Sequence, residues 1–279
     1  MVGPSALRVI ANTGDDAEVY GVHVSPDPDL VTYWLADAID ERGFGIAGDT
    51  WEVMDALEAA GRPAWFRLGD RDLAMCLVRT EQLGRGERLT AAHAAVVDAM
   101  GVDAQVLPMA DEPVRTRVRA RESWLALQEF MIVERAEGPI QEVELRGLER
   151  AKPSDAVLQA LAGAEAIVIG PSNPVISIGP ILAVPGMREA VAAAPAPVVA
   201  VSPFVDGHAL KGPTELFCAQ AGIEQSAAGV ARAYEGVIDA IVADEDVEGL
   251  PAFRANTVMD SPEARRRVAE EVLDFLGTL

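Results

Sequence analysis

The sequence predicts an α/β protein with a doubly wound, mostly parallel, Rossmann-like sheet and an antiparallel cap insertion. Residues 166–169 (AIVI) and 198–201 (VVAV) are apolar without alternation, which is typical of strands buried on both faces of a parallel sheet. Segments with helical periodicity separate such runs, the order that builds a parallel sheet. Residues 114–119 instead alternate between apolar and polar, which predicts a half-exposed antiparallel strand. We therefore expect a single domain over residues 1–279, with the antiparallel cap at residues 104–149.

Each element has a local signal. Apolar or alternating runs bounded by Gly, Pro or Asp predict strands at residues 7–11, 104–108, 114–119, 124–133, 140–145, 166–169 and 198–201. Apolar residues at helical spacing predict helices at residues 30–35, 50–60, 73–83, 90–100, 154–163, 185–194 and 263–276. Asp29 and Thr90 are the expected N-caps of the first and fourth of these helices, and Ser261-Pro262 begins the last.

The charge of the chain limits its partners. It has 23 basic and 44 acidic residues and a net charge of −21, which repels nucleic acids and anionic membrane surfaces. An anionic substrate would need local arginines, backbone amides or a divalent cation. No charge-free apolar run approaches about 18 residues, and residues 1–4 (MVGP) lack signal-peptide features, so we expect a soluble protein. Cys76 and Cys218 are isolated in apolar surroundings, which favours buried thiols and a cytoplasmic location.

A loop rich in glycine and proline follows the first apolar run. We expect the strand at residues 166–169 to be central, and its end at Gly170-Pro171 opens the loop at the sheet edge where α/β proteins bind ligands. A hydroxyl, a carboxamide and backbone amides there suit a phosphate or diphosphate, whereas the alternative is an ordinary turn capped by Ser and Asn. The candidate residues are Gly170, Ser172, Asn173, Ser177, Ile178 and Gly179.

Aspartates occur in pairs at three predicted loop edges. The pairs are Asp15 with Asp16, Asp27 with Asp29, and Asp70 with Asp72. Because Mg²⁺ takes oxygen ligands and bridges substrate phosphates, carboxylates that meet at one sheet edge predict a magnesium site. Each pair alone is also typical of a turn or a helix cap, and that alternative stays open. Arg71 and Arg79 would either pair with these carboxylates or bind ligand oxygens.

The remaining motif searches disfavour several chemistries. His23, His93 and His208 lack the spacing of a zinc site, and His208 is expected on the surface. The sequence contains no G-x-S-x-G elbow, Walker A loop or dinucleotide-binding G-x-G-x-x-G. The sequence therefore does not favour a zinc site, a serine hydrolase, a P-loop nucleotide site or a dinucleotide-binding site.

Six motifs occur in the order in which one known family has them. They are residues 12–16 (NTGDD), 25–29 (SPDPD), 68–72 (LGDRD), 107–114 (LPMADEPV), 170–174 with 177–180 (GPSNP with SIGP), and 201–203 (VSP). Together they resemble the 2-phospho-L-lactate transferase and phosphoenolpyruvate transferase family of coenzyme F420 biosynthesis. The resemblance runs from about residue 8 to the C-terminus, and six ordered motifs are far more specific than any one of them.

The resemblance implies a Mg²⁺-dependent group transfer. A phospholactyl or phosphoenolpyruvyl group would move from a guanosine diphosphate-linked donor to the ribityl hydroxyl of the deazaflavin Fo, with release of GMP. Such a reaction asks a protein mainly for positioning and charge stabilisation. The implied roles are catalysis by Asp27 and Asp29, metal binding by Asp15, Asp27 and Asp29, and substrate binding by Asn12, Arg71, Arg79, Gly170, Ser172, Asn173, Ser177 and Gly179. The resemblance does not decide which carboxylate is the base.

The N-terminal residues depart from the family pattern. Members begin with a strand, a Gly-Gly-x-Gly-x-x-Lys/Arg turn and a helix before the strand that ends in Asn-Thr-Gly-Asp-Asp, whereas residues 1–6 alone precede Leu7 here. We therefore expect this chain to lack its first βα unit, through a misplaced start or a truncation, and to have reduced stability and little activity. Leu30 and Ala110, where relatives often carry small hydroxyl residues, are minor departures.

Two other functions are compatible with the residues. One is a non-catalytic, nucleotide-sugar-binding regulatory protein of the gluconeogenesis-factor type, although residues 17–21 (AEVYG) replace its Gly-Ser-Ser-rich stretch and favour the transferase. The other is an inactive truncated fragment retained in a complex. A homodimer is expected from the exposed sheet and moderate size, and the choice between the two donors stays open.

Overall fold

The computed structural model describes residues 3–210 and 212–279, which form two compact units. The N-terminal unit comprises residues 3–138 and 143–157, and the C-terminal unit comprises residues 139–142 and 158–279. Met1, Val2 and Lys211 lie outside the described residues. The prediction that residues 1–4 do not form a signal peptide therefore falls partly outside them.

The N-terminal unit contains parallel and antiparallel strand pairs together with helices. Its strands are β1 (Arg8–Ala11), β2 (Ala17–Val19), β3 (Val22–Val24), β4 (Gln105–Pro108), β5 (Arg115–Ala120), β6 (Ser123–Ala126) and β7 (Ile140–Arg146). Its helices are α1 (Pro26–Leu35), α2 (Glu52–Ala59), α3 (Asp70–Gly84), α4 (Leu89–Ala99), α5 (Leu127–Ile132) and α6 (Asp155–Ala162). Strands β1 and β4 pair in parallel, β2 and β3 form an antiparallel hairpin, and the third sheet has the order β6-β5-β7. Both β7 and α6 cross the boundary between the two units.

The C-terminal unit is built on a four-stranded parallel sheet of order β13-β12-β9-β8. The strands of this unit are β8 (Ile167–Ile169), β9 (Val198–Val201), β10 (Phe204–Val205), β11 (His208–Ala209), β12 (Ala240–Ala243) and β13 (Ala252–Arg254). The helices are α7 (Ile178–Ala183), α8 (Met187–Ala192), α9 (Thr214–Ala221), α10 (Ala227–Ala233) and α11 (Pro262–Leu276). Val268, Val272 and Leu276 of α11 pack on β9 and β12, so the terminal helix buries one face of the sheet.

The β2–β3 hairpin anchors the part of the N-terminal unit that carries the candidate site. Val19, Val22 and Val24 form a buried apolar cluster with Met54 of α2 and Cys76 of α3. Burial of this cluster stabilises the unit because it removes apolar surface from water. The hairpin therefore holds α3 against the strands that flank the aspartate loops.

The structure confirms the predicted α/β fold class, with parallel sheets, helices between their strands and antiparallel strands at residues 115–126. The period-two interpretation of β5 is also confirmed, since Thr116, Val118 and Ala120 are buried while Arg115 and Arg117 are partly exposed. The hairpin at residues 17–24 was not predicted from the sequence because each of its strands has only three residues. Such strands are too short to give a clear periodicity.

Three expectations about element boundaries are wrong. Residues 127–132, predicted as strand, form α5, because Leu127 and Phe130 are buried at helical spacing that an apolar run does not distinguish from strand. Asp29 is not an N-cap, since α1 begins at Pro26, whose fixed φ suits a first helical position. Thr90 is likewise inside its helix, which begins at Leu89.

The prediction that the strand at residues 166–169 is central is wrong. Strand β8 lies at one end of the described four-stranded sheet, and Val168 is 46% exposed. Apolar residues alone do not distinguish a covered strand from an end strand, because the difference depends on which neighbours the chain later supplies.

The cysteine prediction is confirmed, since Cys76 and Cys218 are buried free thiols. Among the helices of the described residues, none has both the length and the apolar character that crossing a bilayer requires. His208 is exposed, as predicted.

Candidate active site

Asn12, Asp15 and Asp27 meet beyond the carboxyl end of β1. The Asn12 side-chain nitrogen donates to Asp27 Oδ2 at 3.0 Å and lies 3.5 Å from Asp15 Oδ1, so one amide bridges two carboxylates. The Asn12 Oδ1 atom accepts the backbone N–H of Gly14 at 2.7 Å, which sets the direction of the amide. Asp15 also accepts a hydrogen bond from Gln128 at 3.1 Å. Two of the predicted metal ligands therefore share one neighbour, and we call Asp15 and Asp27 the carboxylate pair.

Burial and repulsion both act on the carboxylate pair. Burial raises the pKa of Asp15 well above its ordinary value, and the carboxylates of Asp27 and Asp16 raise it further. Burial also raises the pKa of Asp27, against the opposing effect of the Asn12 hydrogen bond. Among the described residues, no cationic side chain is one of the groups that shift either pKa. Asp15, Asp16 and Asp27 thus place carboxylate charges close together within the described part of the chain, a condition that favours binding of a divalent cation.

Two buried hydroxyl groups near this pair lack protein partners. Thr13 follows Asn12 and is 0% exposed, and its Oγ1 atom makes no hydrogen bond within the described part of the chain. The Oγ1 atom of Thr116 likewise makes no hydrogen bond within the described residues. The backbone N–H of Thr116 donates to the carbonyl of Gly14, in the loop that follows Thr13. Buried hydroxyls are rarely left unsatisfied unless water or a ligand meets them. The oxygen ligands of Asp15 and Asp27 fit a hard cation of the Mg²⁺ type.

Asp29, the third predicted metal ligand, forms an ion pair with Arg79. Arg79 Nη1 donates to Asp29 Oδ1 at 2.6 Å and Nη2 donates to Oδ2 at 2.8 Å, which is a bidentate arrangement. The backbone N–H of Ser25 also donates to Asp29 Oδ2 at 3.4 Å. Both carboxylate oxygens of Asp29 are therefore engaged inside the protein.

The other donors of Arg79 are engaged as well. Its Nε and Nη2 atoms donate to the carbonyl of His23 at 3.2 and 3.0 Å. Its Nη1 atom lies 3.4 Å from His93 Nδ1, and His93 Nε2 lies 3.2 Å from Thr32 Oγ1. Because the Thr32 hydroxyl donates to the carbonyl of Pro28, we assign the imidazole proton to Nε2 and the acceptor role to Nδ1. Burial lowers the pKa of His93 to about 4, and the Arg79 charge contributes to the lowering, so the ring is neutral near pH 7.

Asp16 makes its hydrogen bonds with Ser25 and His23 rather than with Asn12 and the carboxylate pair. Its Oδ1 atom accepts the Ser25 hydroxyl at 2.6 Å, and its Oδ2 atom lies 2.8 Å from His23 Nε2. The second ring nitrogen of His23 lies 2.7 Å from Glu18 Oε1. Asp16 is 4% exposed, so its two oxygens are directed at protein groups rather than at solvent.

The third predicted pair, Asp70 and Asp72, divides between a helix cap and a buried contact. Asp70 accepts the Thr50 hydroxyl at 2.6 Å and the backbone N–H groups of Glu52 and Val53 at 3.0 Å each, which caps α2 and lowers the pKa of Asp70. The helix-cap alternative is therefore correct for Asp70. Asp72 accepts the Tyr33 hydroxyl at 2.7 Å, and burial together with the Asp29 charge raises its pKa to about 6.

A second group of ligand-type side chains lies beside the ion pair. Asp29, Asp72 and Cys76 place one ligand atom each within 4.8 Å of one another. However, Arg79 already neutralises Asp29, and burial raises the pKa of the Cys76 thiol. This group therefore fits a metal ion less well than the carboxylate pair does.

Asn173 organises the loop after β8 in the C-terminal unit. Its Oδ1 atom accepts the N–H groups of Val175 and Ile176 at 2.8 and 3.2 Å, and its carbonyl accepts those of Ser177 and Ile178 at 3.1 and 3.0 Å. The amides of residues 177 and 178, predicted as phosphate donors, are therefore engaged within the loop. These hydrogen bonds are typical of a turn, and the role of the loop as a ligand contact stays a prediction.

The glycines of the same loop differ in what surrounds them. A Cβ atom at Gly179 would lie 2.7 Å from the carbonyl oxygen of Pro174, so only glycine permits this close approach. A Cβ atom at Gly170 would meet nothing within 4 Å. Ser172 is exposed between them, and its role as a ligand contact stays a prediction.

The structure thus groups the predicted site residues unevenly. Asn12, Asp15 and Asp27 come together, whereas Arg79 and Asp29 satisfy each other, and Arg71 is exposed with its guanidinium donating to the carbonyl of Ala47 at 3.1 Å. The predicted ligand and catalytic roles of all these residues stay predictions. Sequence reasoning did not identify the contacts of Gln128, Ser25, Tyr33 and His93 with the site residues, because those contacts depend on how the elements fold together.

Comparison with known proteins gives a consistent family assignment. The family model described as 2-phospho-L-lactate transferase CofD matches residues 3–266. A phosphoenolpyruvate transferase of Streptomyces griseus is 39% identical over 285 residues, covering 96% of this chain and 90% of the relative. A 2-phospho-L-lactate transferase of Methanosarcina mazei is 38% identical over 277 residues, covering 96% of this chain and 91% of the relative.

Solved structures support the fold independently. Two crystal structures of a Bacillus halodurans protein, described in one of them as a member of the UPF0052 family, match with TM-scores of 0.60 and 0.57. The first is 16% identical and covers 95% of this chain and 91% of the other, and the second is 17% identical and covers 97% and 96%. At such low identity the likeness concerns the α/β fold alone.

Proposed function

Because this chain belongs to the 2-phospho-L-lactate transferase CofD family, we propose that it transfers a phospholactyl or phosphoenolpyruvyl group to the deazaflavin Fo in coenzyme F420 biosynthesis. The donor in this proposal is the lactyl or enolpyruvyl ester of guanosine diphosphate, so the outer phosphate moves with the transferred group and GMP is the second product. The relatives bear both transferase names at similar identity, so the choice of donor is a matter for direct assay.

The observation that carries the proposal is the carboxylate pair. Asp15 and Asp27 are bridged by the Asn12 amide, and burial raises the pKa of both, with a further rise at Asp15 from the Asp27 charge and at Asp27 from the Asp16 charge. A protein keeps such a costly arrangement where a function requires it. Asp15 and Asp27 would hold Mg²⁺, which would supply positive charge to stabilise the phosphate oxygens during transfer.

The proposed reaction is an in-line displacement at phosphorus. The ribityl hydroxyl oxygen of Fo forms a bond to the phosphorus that bears the lactyl or enolpyruvyl oxygen. The bond from that phosphorus to the bridging oxygen breaks, GMP leaves with the bonding electrons, and the hydroxyl proton passes to the Asp27 carboxylate. We assign Asp27 rather than Asp29 to this hydroxyl, since both oxygens of Asp29 are already held by Arg79.

The remaining candidates support this chemistry in different ways. Arg79 holds Asp29 and with it the first turn of α1, from which Asp27 projects. Arg71 has an exposed guanidinium and is the arginine that we assign to a ligand oxygen. In the C-terminal unit, Gly170, Ser172, Asn173, Ser177 and Gly179 stay proposed substrate contacts, and Ser172 is the exposed side chain among them.

Two assays test the proposal on the full chain. Fo fluoresces, so its titration in the presence of Mg²⁺ measures binding directly, and GMP release with either donor measures turnover. We expect Asp27→Asn to abolish GMP release while Asp98→Asn, which makes the same change at an exposed site of the N-terminal unit, leaves it unchanged.

The outcomes separate the transferase from the other functions. Binding of Fo with release of GMP supports the proposal, and the better donor identifies the substrate. A chain that binds a nucleotide-sugar but not Fo is a regulatory binding protein instead. A chain that binds neither Fo nor the guanosine diphosphate-linked donors contradicts the proposed function.

A further inference from the structure

Asp16 lies next to a candidate metal ligand but takes no part in the carboxylate pair. Its oxygens are taken by the Ser25 hydroxyl at 2.6 Å and by His23 Nε2 at 2.8 Å. Its side chain is 0% exposed, so both of its oxygens meet protein groups rather than solvent. A buried carboxylate with two such partners is strongly fixed in position.

Ser25 lies on the other segment of the site. It immediately precedes α1, and its side chain does not cap that helix, so the hydrogen bond to Asp16 is the contact that its hydroxyl makes. Asp27 is in the first turn of the same helix, two residues further along the chain. The Asp16–Ser25 bond therefore joins the segment that carries Asp15 to the segment that carries Asp27.

The far end of this link is anchored to a rigid element. His23 and Glu18 face each other across the β2–β3 hairpin, and the His23 ring lies between Asp16 and Glu18. The backbone of His23 is held in turn by α3, since its N–H donates to Thr80 Oγ1 at 2.8 Å and its carbonyl accepts two bonds from Arg79. Movement of Asp16 would disturb the hairpin and α3 together.

We propose that Asp16 is a positioning residue, whose bond to Ser25 ties the segment of Asp15 to the segment of Asp27 and so preorganises the carboxylate pair for a divalent cation. This inference rests on the proposed function, because it assumes that the carboxylate pair is the metal site. The two carboxylates repel each other, so a metal-free pair tends to separate unless the segments that carry it are tied. The Asp16–Ser25 bond opposes that separation before the cation arrives, which raises affinity by preorganisation.

The test is direct binding of Mn²⁺, measured by the loss of its free electron paramagnetic resonance signal, on the full chain without substrates. Ser25→Ala removes the hydroxyl without removing a helix cap, and we expect it to raise the Kd for Mn²⁺ by about 10-fold. Ser261→Ala is the matched control. Ser261 precedes α11 in the C-terminal unit and does cap its helix, so this variant loses stability without touching the site. Ser25→Thr, which retains a hydroxyl, is expected to keep an affinity close to that of the wild type.

Each outcome has a definite meaning. Weaker Mn²⁺ binding in Ser25→Ala, with normal binding in Ser261→Ala and recovery in Ser25→Thr, supports the positioning role. Equal Mn²⁺ binding in wild type and Ser25→Ala overturns it and leaves the proposed metal site intact. Wild-type protein that does not bind Mn²⁺, or binding that survives Asp15→Asn and Asp27→Asn, overturns both the positioning role and the assigned metal site. Circular dichroism of each variant confirms that the comparison is between folded proteins.

Discussion

Arg79 and Asp29 form a bidentate ion pair in which the arginine side chain is 0% exposed and the aspartate side chain 5% exposed. The pair joins α3 to the first turn of α1, and it accounts for why Asp29 differs from its neighbour Asp27. Buried charges persist in proteins when each is paired and hydrogen-bonded. The pair therefore separates a structural aspartate from an aspartate that remains available for chemistry.

Removal of one member of this pair is expected to destabilise the protein strongly. Arg79→Gln leaves the Asp29 carboxylate buried and uncompensated, at a cost of about 3–5 kcal/mol. The double variant Arg79→Gln/Asp29→Asn removes that charge, so it should be less destabilised than the sum of the two single variants. Urea denaturation of the four proteins measures the coupling. Additive losses would show that the pair does not stabilise the fold as a unit.

Asp27→Asn is expected to change stability in opposite directions with and without a divalent cation. Without one, removal of a charge beside Asp15 relieves repulsion and raises the free energy of unfolding at neutral pH. Excess Mg²⁺ raises the melting temperature of the wild type but not of the variant, because only a bound ligand stabilises the native state. Melting curves with EDTA or Mg²⁺ measure both effects, and Asp98→Asn serves as the control. Equal Mg²⁺ stabilisation of wild type and Asp27→Asn would exclude Asp27 as a ligand.

His93 is expected to make the protein less stable as acid is added. Its folded pKa of about 4 lies below the ordinary value of 6.5, so the unfolded chain binds more protons between these two values. The stability from neutral His93 is present above pH 6.5 and is lost as the pH falls to about 4, at a cost on the order of 3 kcal/mol. His93→Gln, which retains a donor and an acceptor, should flatten this part of the stability profile. A parallel profile for wild type and variant would contradict the prediction.

The titration of Asp72 is expected to change stability with pH in the opposite direction to that of His93. Its folded pKa of about 6 lies above the ordinary value of 3.8, so the folded state binds more protons between these values. Its favourable contribution is present below pH 3.8 and is lost as the pH rises through about 6. Asp72→Asn keeps an acceptor for the Tyr33 hydroxyl and should therefore gain stability relative to wild type as the pH rises through this window. Paired melting curves over that range check the sign, and a constant difference would disprove the assignment.

The loop of the C-terminal unit offers a matched pair of glycine substitutions. Gly179→Ala places a Cβ atom 2.7 Å from the Pro174 carbonyl and should destabilise the protein by about 1–3 kcal/mol through overpacking. Gly170→Ala meets nothing within 4 Å, so its stability should be close to that of the wild type. Chemical denaturation compares the two variants. Equal stabilities would mean that the loop relaxes around the new methyl group.

Local patterns in the sequence predicted the elements that local interactions decide. The alternation of β5 and the helical spacing of α2, α3 and α11 each report a buried face, and the structure contains them. The order of six short motifs led to the family that the comparisons support. The N-cap predictions at Asp29 and Thr90 were wrong because their helices begin earlier, at Pro26 and Leu89. The strand prediction at residues 127–132 was wrong because an apolar run does not distinguish a strand from a helix.

The sequence by itself determined the fold class, the family and the set of aspartates from which a metal site is chosen. Only the tertiary structure decided how those aspartates divide: Asp70 caps a helix, Asp29 pairs with Arg79, Asp16 binds Ser25 and His23, and Asp15 and Asp27 stay without a counter-ion among the described side chains. The physical reason is that the five aspartates have chemically identical side chains, so the sequence alone does not distinguish them. Their charge, pKa and availability depend on burial and on partners that fold next to them from distant parts of the chain.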